Sequence, residues 1–304
     1  MTLIMKKKIK TAVFPVGGLG TRFLPATKSM PKEMLPISNK PIIQYAYEEA
    51  RDAGIEKFIF ITGRNKNAIN NHFDHAYELE SKLGQKNKEN DLQKVLSWLP
   101  MAGQIAFVRQ QKPLGLGHAI WCARSFIAED EPFVVILADE MMADKRGPDN
   151  KNFLSKMIDS YNDKDSLVNY IAVDEVDKKD VHKYGIVKTS LQDRVIDMIE
   201  KPNQQEAPSN LAITGRYLLQ PKIFEYLAKG KIGSGGEVQL TDAMKDMCNN
   251  GEEFYYKKID QQRFDCGNVL GYIEANIAFA LNNDLIKSDV LQILQKYRDN
   301  NYDT

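Results

Sequence analysis

The residues best suited to chemistry form one cluster near the start of the chain: Gly17-Gly18-Leu19-Gly20-Thr21-Arg22, followed by Lys28 and Lys32. Small residues let a backbone approach a ligand closely, and successive amides of a glycine-rich turn can face an anion. Arg22 brings a planar fork for bidentate phosphate contacts, while Lys28 and Lys32 bring point charges. Together they suit a polyphosphate. The same residues also read as a tight turn and a solvated basic loop, and the glycines alone do not decide. Phe23 stands where a dinucleotide fingerprint has its third glycine, and no GxxxxGK(S/T) occurs. Hydride transfer and ordinary P-loop chemistry therefore lose support.

Other candidates are scattered along the chain. Asp139 follows the apolar run 133–137, which puts a carboxylate at a strand's carboxyl end, where open α/β sheets bind ligands. Glu140 beside it is a second carboxylate. Gln110 carries one acceptor and two donors, enough to match an imide edge. Gly115 permits close backbone approach or simply opens a helix. Lys201 ends a strand before Pro202, which predicts an extended backbone there. Glu200-Lys201-Pro202 also reads as a surface turn. Gly185 marks either close approach or a bulge. Asp265 precedes a helix and suits a cap, as do Thr241 and Asp242 within 237–242. His72 and His75 are too few for a zinc site.

These residues need a frame. Runs 10–16, 57–62, 104–109 and 133–137 read as strands alternating with helical patterns, the pattern of a buried, mostly parallel sheet. Ile42, Ile43, Ala46, Tyr47 and Ala50 repeat at helical spacing, with Pro41 suited to the first turn. Three prolines make residues 23–36 an extended loop. Residues 78–94 mix charges around few apolar anchors, as a solvated helical insertion or a mobile loop does. Strands at 167–173, 185–189, 195–200 and 212–219 lack helices between them, which predicts an antiparallel addition. Helices at 268–281 and 285–297 close the structure or pack on a partner. A single α/β unit of 1–304 is expected, with helices flanking a mixed, mostly parallel central sheet, further β elements and C-terminal helices.

The 304 residues are 43% apolar and 27% charged, as in soluble globular chains. Forty-one basic residues balance forty-one acidic ones, so no global field gathers nucleic acid or anionic lipid. The longest apolar run, 133–138, is far short of a membrane span. Met5-Lys6-Lys7-Lys8 imitates the charged start of a secretory signal, but Pro15 and the glycines interrupt the apolar stretch after it, and a buried first strand fits better. Cys122, Cys248 and Cys266 form no CxxC pair, which favours a reducing cytoplasm.

Gly18-Leu19-Gly20-Thr21-Arg22 followed by Pro31-Lys32-Glu33-Met34-Leu35-Pro36 resembles the signature of the sugar-nucleotide pyrophosphorylase family. Further similarity lies in Val108-Arg109-Gln110, Gly115-Leu116-Gly117-His118-Ala119, Tyr184-Gly185, Glu200-Lys201-Pro202 and Asp265-Cys266-Gly267-Asn268, in order along nearly the whole chain. The longer run 14–28 is similar to the branch that makes UDP-glucose. Gly17, often Ala in the family, and Ala138, often Pro, depart from the pattern without removing a functional group.

The resemblance implies a Rossmann-like nucleotidyltransferase fold and transfer of a uridylyl group from UTP to α-D-glucose 1-phosphate, giving UDP-glucose and pyrophosphate with Mg2+. It assigns Arg22 and Lys32 to catalysis, with Lys201 on the sugar phosphate, and Gly17, Gly18, Leu19, Gly20, Gln110 and Gly115 to the nucleotide. Gly185 and Glu200 fall to the sugar, and Asp139 and Asp265 to the metal. Residues 10–150 become a nucleotide half, 151–265 a sugar-phosphate half and 266–304 C-terminal helices, in a homo-oligomer (dimer or tetramer). A sister pyrophosphorylase using dTTP or another hexose 1-phosphate is the near alternative. A sugar-nucleotide sensor without activity is disfavoured because Arg22, Lys32, Asp139 and Lys201 are all present.

Overall fold

The computed structural model describes residues 6–143 and 151–299. Met5, the end of the expected nucleotide half at 144–150, and residues 300–304 lie outside them. The chain runs from β1 (Thr11–Val16) through a ribbon of β2 (Pro36–Ile37) and β3 (Lys40–Pro41) into α1 (Ile42–Asp52) and β4 (Lys57–Thr62). Helices α2 (Asn67–His72), α3 (Tyr77–Gln85) and α4 (Glu89–Leu96) precede β5 (Ile105–Arg109). Then α5 (Leu116–Trp121) leads to β6 (Phe133–Ile136) and the short β7 (Glu140–Met142). The second part comprises α6 (Phe153–Asn162), β8 (Asn169–Glu175), β9 (Gly185–Thr189), β10 (Arg194–Glu200) and β11 (Leu211–Leu219). After α7 (Ile223–Leu227) and α8 (Leu240–Asn249) come β12 (Phe254–Lys258), β13 (Arg263–Asp265), α9 (Val269–Leu281) and α10 (Lys287–Asp299).

Among the described residues one nine-stranded sheet forms the frame, in the order β5-β4-β1-β6-β11-β8-β12-β10-β9. Its first four strands are parallel. Beyond them β11 runs antiparallel to β6 and β8, and β10 antiparallel to β9 and β12, as the missing crossover helices predict. The unforeseen β12 pairs parallel with β8. The result is the expected mixed sheet, with a four-stranded parallel block at its N-terminal strands and one further parallel pair, β8–β12.

Alternation along β1 explains why both faces are covered. Ala12, Phe14 and Val16 join a core with α1, α6 and α9, while Val13 joins a second core with α5, α7 and α8. Phe14 stacks on Phe60 of β4 at 4.7 Å between ring centroids. Full burial of such a side chain contributes about 1.5–3 kcal/mol. The apolar positions of α1 are buried against the same face, with Pro41 one position before its first turn.

Several local expectations need correction. Residues 21–34 are three successive 3-10 turns, Thr21–Phe23, Ala26–Lys28 and Lys32–Met34, not an extended loop. Pro25 and Pro31 each stand just before a turn and set the φ that starts it. Of the two readings of 78–94, the helical one holds: α3 and α4 bury no residue. The cap of α8 is Gln239 rather than Thr241 or Asp242, and it makes no side-chain cap bond. The cap of α9 is Asn268, whose side chain accepts from the Gly271 N–H, so Asp265 is released from that role. Among the described residues no helix is long and apolar enough to cross a membrane, and all three cysteines are free.

Candidate active site

The four parallel strands end side by side, so the turns that leave their carboxyl ends share one crevice. From β1 comes the turn Gly17 to Gly20, and from β4 the unanticipated Gly63 and Arg64. Next to them Gln110 leaves β5, and Asp139 follows β6. A cavity of about 330 Å3 is lined by Gly17, Leu19, Gly63, Arg64, Gln110 and Lys112. The backbones crowd here: a Cβ on Gly63 would lie 2.9 Å from the Gly17 carbonyl oxygen.

Gln110 is 7% exposed. Its Nε2 lies 3.1 Å from the Gly115 carbonyl and 3.1 Å from His118 Nδ1. Its Oε1 points back at Gly17, where a Cβ would come within 2.9 Å. Gly115 has φ 104°, and a Cβ there would collide with Glu237 and Val238, so glycine is required by conformation and by space. Glu237, read as structural from the sequence, is thus a wall of this corner.

The turn then delivers cations to carboxylates. Gly20 has φ 66°, and its missing side chain leaves room for Lys32 Cβ and Thr27, both 3.2 Å from a Cβ built there. Lys32 Nζ reaches Asp139 Oδ2 at 2.5 Å. Burial opposes both charges, but Lys32, with Arg22 beyond it, holds the Asp139 carboxyl below its ordinary value. The Lys32 ammonium rises above its own against that same burial, held by Asp139 and Glu33. Lys28 is exposed and has no ion pair among the described residues.

What unites Asp139 with Asp265 is a two-stranded ribbon of β7 and β13, in which Asp265 lies opposite Glu140 and the Cys266 N–H donates to the Asp139 carbonyl. Around Gly267 three groups converge: a Cβ there would lie 2.9 Å from Asp265 Oδ1, 3.0 Å from Asp139 Oδ2 and 3.6 Å from Arg22 Nη1. Asp265 is steadied by the Gly267 N–H on Oδ1 and Asn268 Nδ2 on Oδ2, each at 2.9 Å.

Glu140, beside Asp139, is engaged by an arginine. Arg263 Nη1 donates to its Oε2 at 2.7 Å, and burial pushes its carboxyl up to about 7, against Arg263 and with Asp265 adding to the rise. Arg216, 1% exposed, completes the support: Nη1 donates to the Leu137 carbonyl at 3.0 Å while Nε and Nη2 hold Glu49. The turn carrying Asp139 is thereby tied to the core.

The third station lies where β10 ends. Glu200 pairs with Gly185, whose missing side chain leaves Glu200 Oε2 and Thr241 Oγ1 each 3.0 Å from a Cβ built there. Lys201 is half exposed, with Nζ 3.8 Å from Glu200 Oε1. Its backbone is not extended: φ is 47°. The Lys201 N–H closes the ladder to the Tyr184 carbonyl at 2.9 Å, and the chain must turn out of the sheet at once, which overrides the preference set by Pro202. Arg263 links this station to the carboxylates, since it also donates to Asp174 and lies 5.5 Å from the Tyr184 ring.

Arg263, Arg216, Gly63, Arg64 and His118 escaped the sequence reading as site residues, and Thr241 was read there only as a cap. Only His118 had a signal, its place inside the Gly115-to-Ala119 segment. His72 and His75 are occupied elsewhere, by Gln44 and Trp98 and by Glu80.

The sequence profile of nucleotidyl transferases matches residues 11–281. UTP–glucose-1-phosphate uridylyltransferase 2 of Staphylococcus saprophyticus is 45% identical over 296 residues, 96% of this chain and 99% of that protein. The UTP-bound UGPase of Acinetobacter baumannii superposes with a TM-score of 0.85 at 39% identity, covering 94% of this chain and 99% of the other. A UDP-glucose pyrophosphorylase complexed with UDP-glucose gives 0.79 at 39% identity, over 90% of this chain and 100% of the other. Profile, relatives and fold agree with one another, and the chain belongs to the nucleotidyl transferase family.

Proposed function

We propose that this chain transfers the uridylyl group of UTP to the phosphate of α-D-glucose 1-phosphate, giving UDP-glucose and pyrophosphate. The observation that carries this reading is the meeting of Asp139, Asp265 and Arg22 at Gly267, joined by the Gly17-to-Arg22 turn to a cavity walled by Gln110. The similar proteins named for this activity support it. An oxygen of the sugar phosphate forms a bond to the α-phosphorus of UTP while the bond from that phosphorus to the bridging oxygen breaks. Pyrophosphate leaves with the electron pair, and no proton need move. Positioning and charge neutralisation supply most of such catalysis.

In this reading Gly17, Gly18, Leu19 and Gly20 bring backbone against the nucleotide, and Gln110 and Gly115 hold the base. Arg22 and Lys32 grip the phosphates that leave, Lys201 the phosphate of the sugar, while Glu200 accepts from sugar hydroxyls beside Gly185. No group of three or more His, Cys, Asp or Glu side chains able to hold a metal occurs among the described residues. Two carboxylates at one point suit magnesium, which takes one or two carboxylates and fills its shell with substrate oxygens. Bound by Asp139 and Asp265, magnesium would neutralise charge on the phosphates.

We place residues 10–150 as the nucleotide half, 151–265 as the sugar-phosphate half and 266–304 as C-terminal helices. Leu270, Ile273, Leu291 and Ile293 leave apolar surface exposed on α9 and α10, which suits a second copy of the chain. Free thiols suit a reducing cytoplasm. The test of function is a matrix of four nucleoside triphosphates against several hexose 1-phosphates, scored by pyrophosphate release. UTP with glucose 1-phosphate should give the highest kcat/KM; a higher value with dTTP or another hexose overturns the assignment.

A further inference from the structure

We propose that His118 is a positioning residue for base selection: its Nδ1, together with the Gly115 carbonyl, takes both amide hydrogens of Gln110 and so presents Gln110 Oε1, an acceptor, to the base. The inference rests on the reading of Gln110 as the base-facing residue.

A glutamine amide is nearly symmetric in shape, but its two ends are opposite in hydrogen bonding. Uracil shows a donor, N3–H, between two carbonyl oxygens, whereas cytosine shows an acceptor at N3. An amide offering Oε1 matches uracil; the same amide turned over would offer Nε2 and match cytosine. Discrimination therefore depends on what keeps the amide from turning, and the answer lies on the far side of Gln110 from the ligand.

There Nε2 meets two partners, each at 3.1 Å. A carbonyl can only accept, so Nε2 must be the atom facing Gly115. With one hydrogen spent there, the second points at His118 Nδ1, which must then be the unprotonated nitrogen of the ring. If Gln110 turned over, Oε1 would face the lone pairs of the Gly115 carbonyl, and that of Nδ1 as well unless the ring changed tautomer, in a place where the residue is 7% exposed.

The platform itself is held. Gly117 N–H donates to the Val238 carbonyl at 2.9 Å and Val238 N–H to the Leu114 carbonyl at 2.8 Å. The Cys122 thiol lies 4.0 Å from His118 Nδ1 and the Trp121 ring 5.9 Å from the imidazole. Burial, aided by the Arg124 guanidinium, holds the His118 pKa below its ordinary value and keeps the ring neutral.

The test compares wild type with His118→Leu, His118→Asn and Gln110→Ala, measuring kcat/KM for UTP and CTP and KM for glucose 1-phosphate. Leucine removes the acceptor, and the UTP-over-CTP ratio should fall about threefold to tenfold, the worth of one hydrogen bond, with KM for glucose 1-phosphate unchanged. Asparagine keeps an oxygen at the Nδ1 position and should restore the ratio. Gln110→Ala should reduce the ratio at least as far as leucine does. A ratio lowered by Gln110→Ala but untouched by His118→Leu overturns the role of His118 alone; a ratio untouched by Gln110→Ala overturns the base-facing reading beneath it. Equal losses with both nucleotides in His118→Leu mark a structural role and also overturn it. Should His118→Leu fail to fold, 15N NMR of histidine in the wild-type protein decides: an unprotonated Nδ1 at His118 is expected, and a protonated Nδ1 refutes the proposal.

Discussion

Lys32 and Glu33 are neighbours in sequence, and each forms an ion pair, in opposite directions. Lys32 meets Asp139 at the crevice, where the two side chains are 21% and 26% exposed. Glu33 meets Lys66 at 2.7 Å inside the protein, at 2% and 7%. The first pair can exchange partners in the proposed reaction, because it is partly open to solvent and water screens what is left alone. The second cannot, since either charge alone would be buried without compensation. Burial burdens Glu33 enough that its carboxyl lies above the ordinary value despite Lys66 and Lys32 nearby. Two adjacent charges thus divide the work: one faces the crevice, where we propose that it meets substrate, and the other fixes the turn that carries it.

Asp139→Asn gives the largest effect at the open pair. It removes one charge with little change in volume, so turnover should fall at least a hundredfold at saturating magnesium while the circular dichroism spectrum and melting temperature stay near wild type. A loss of only a fewfold would take Asp139 out of the site.

Lys66→Met probes the closed pair. It should cost about 3–5 kcal/mol of stability, measured by urea unfolding, because Glu33 is left buried and unpaired. Lys32→Ala should cost less than about 1 kcal/mol in the same experiment, as half-open pairs do. If the two losses were equal, the contrast between the pairs would collapse.

The smallest effects separate the phosphates. Arg22→Ala and Lys32→Ala should raise KM for UTP and for pyrophosphate, and Lys201→Ala that for glucose 1-phosphate, each by about tenfold to a hundredfold. Steady-state kinetics in both directions reads this. A rise in KM for UTP alone with Lys201→Ala would move the sugar phosphate elsewhere.

How much was legible depends on how local each signal is. Strands β1, β4 and β9 are apolar runs bounded by glycine or turn residues, and their limits fall within one residue of those expected. β12, Phe-Tyr-Tyr-Lys-Lys, buries only its first residue and offers no alternation to find. β7 and β13 are three residues each, too short for any period, and their pairing links residues more than 120 apart. The glycines, Lys32, Asp139 and Lys201 were visible because their types and neighbours carry chemistry. Arg216 and Arg263 were not, since a lone arginine in a strand looks like surface until its partners from distant segments arrive.

The β7–β13 ribbon also sets a timetable. Asp139 is synthesised more than 120 residues before Asp265, which the ribbon later brings beside it. At about 5–20 residues made per second, the interval between the two carboxylates is roughly 6–25 seconds. A nascent chain halted before residue 263 would lack the strand that pairs with β7, and with it the second of the two carboxylates that meet at Gly267.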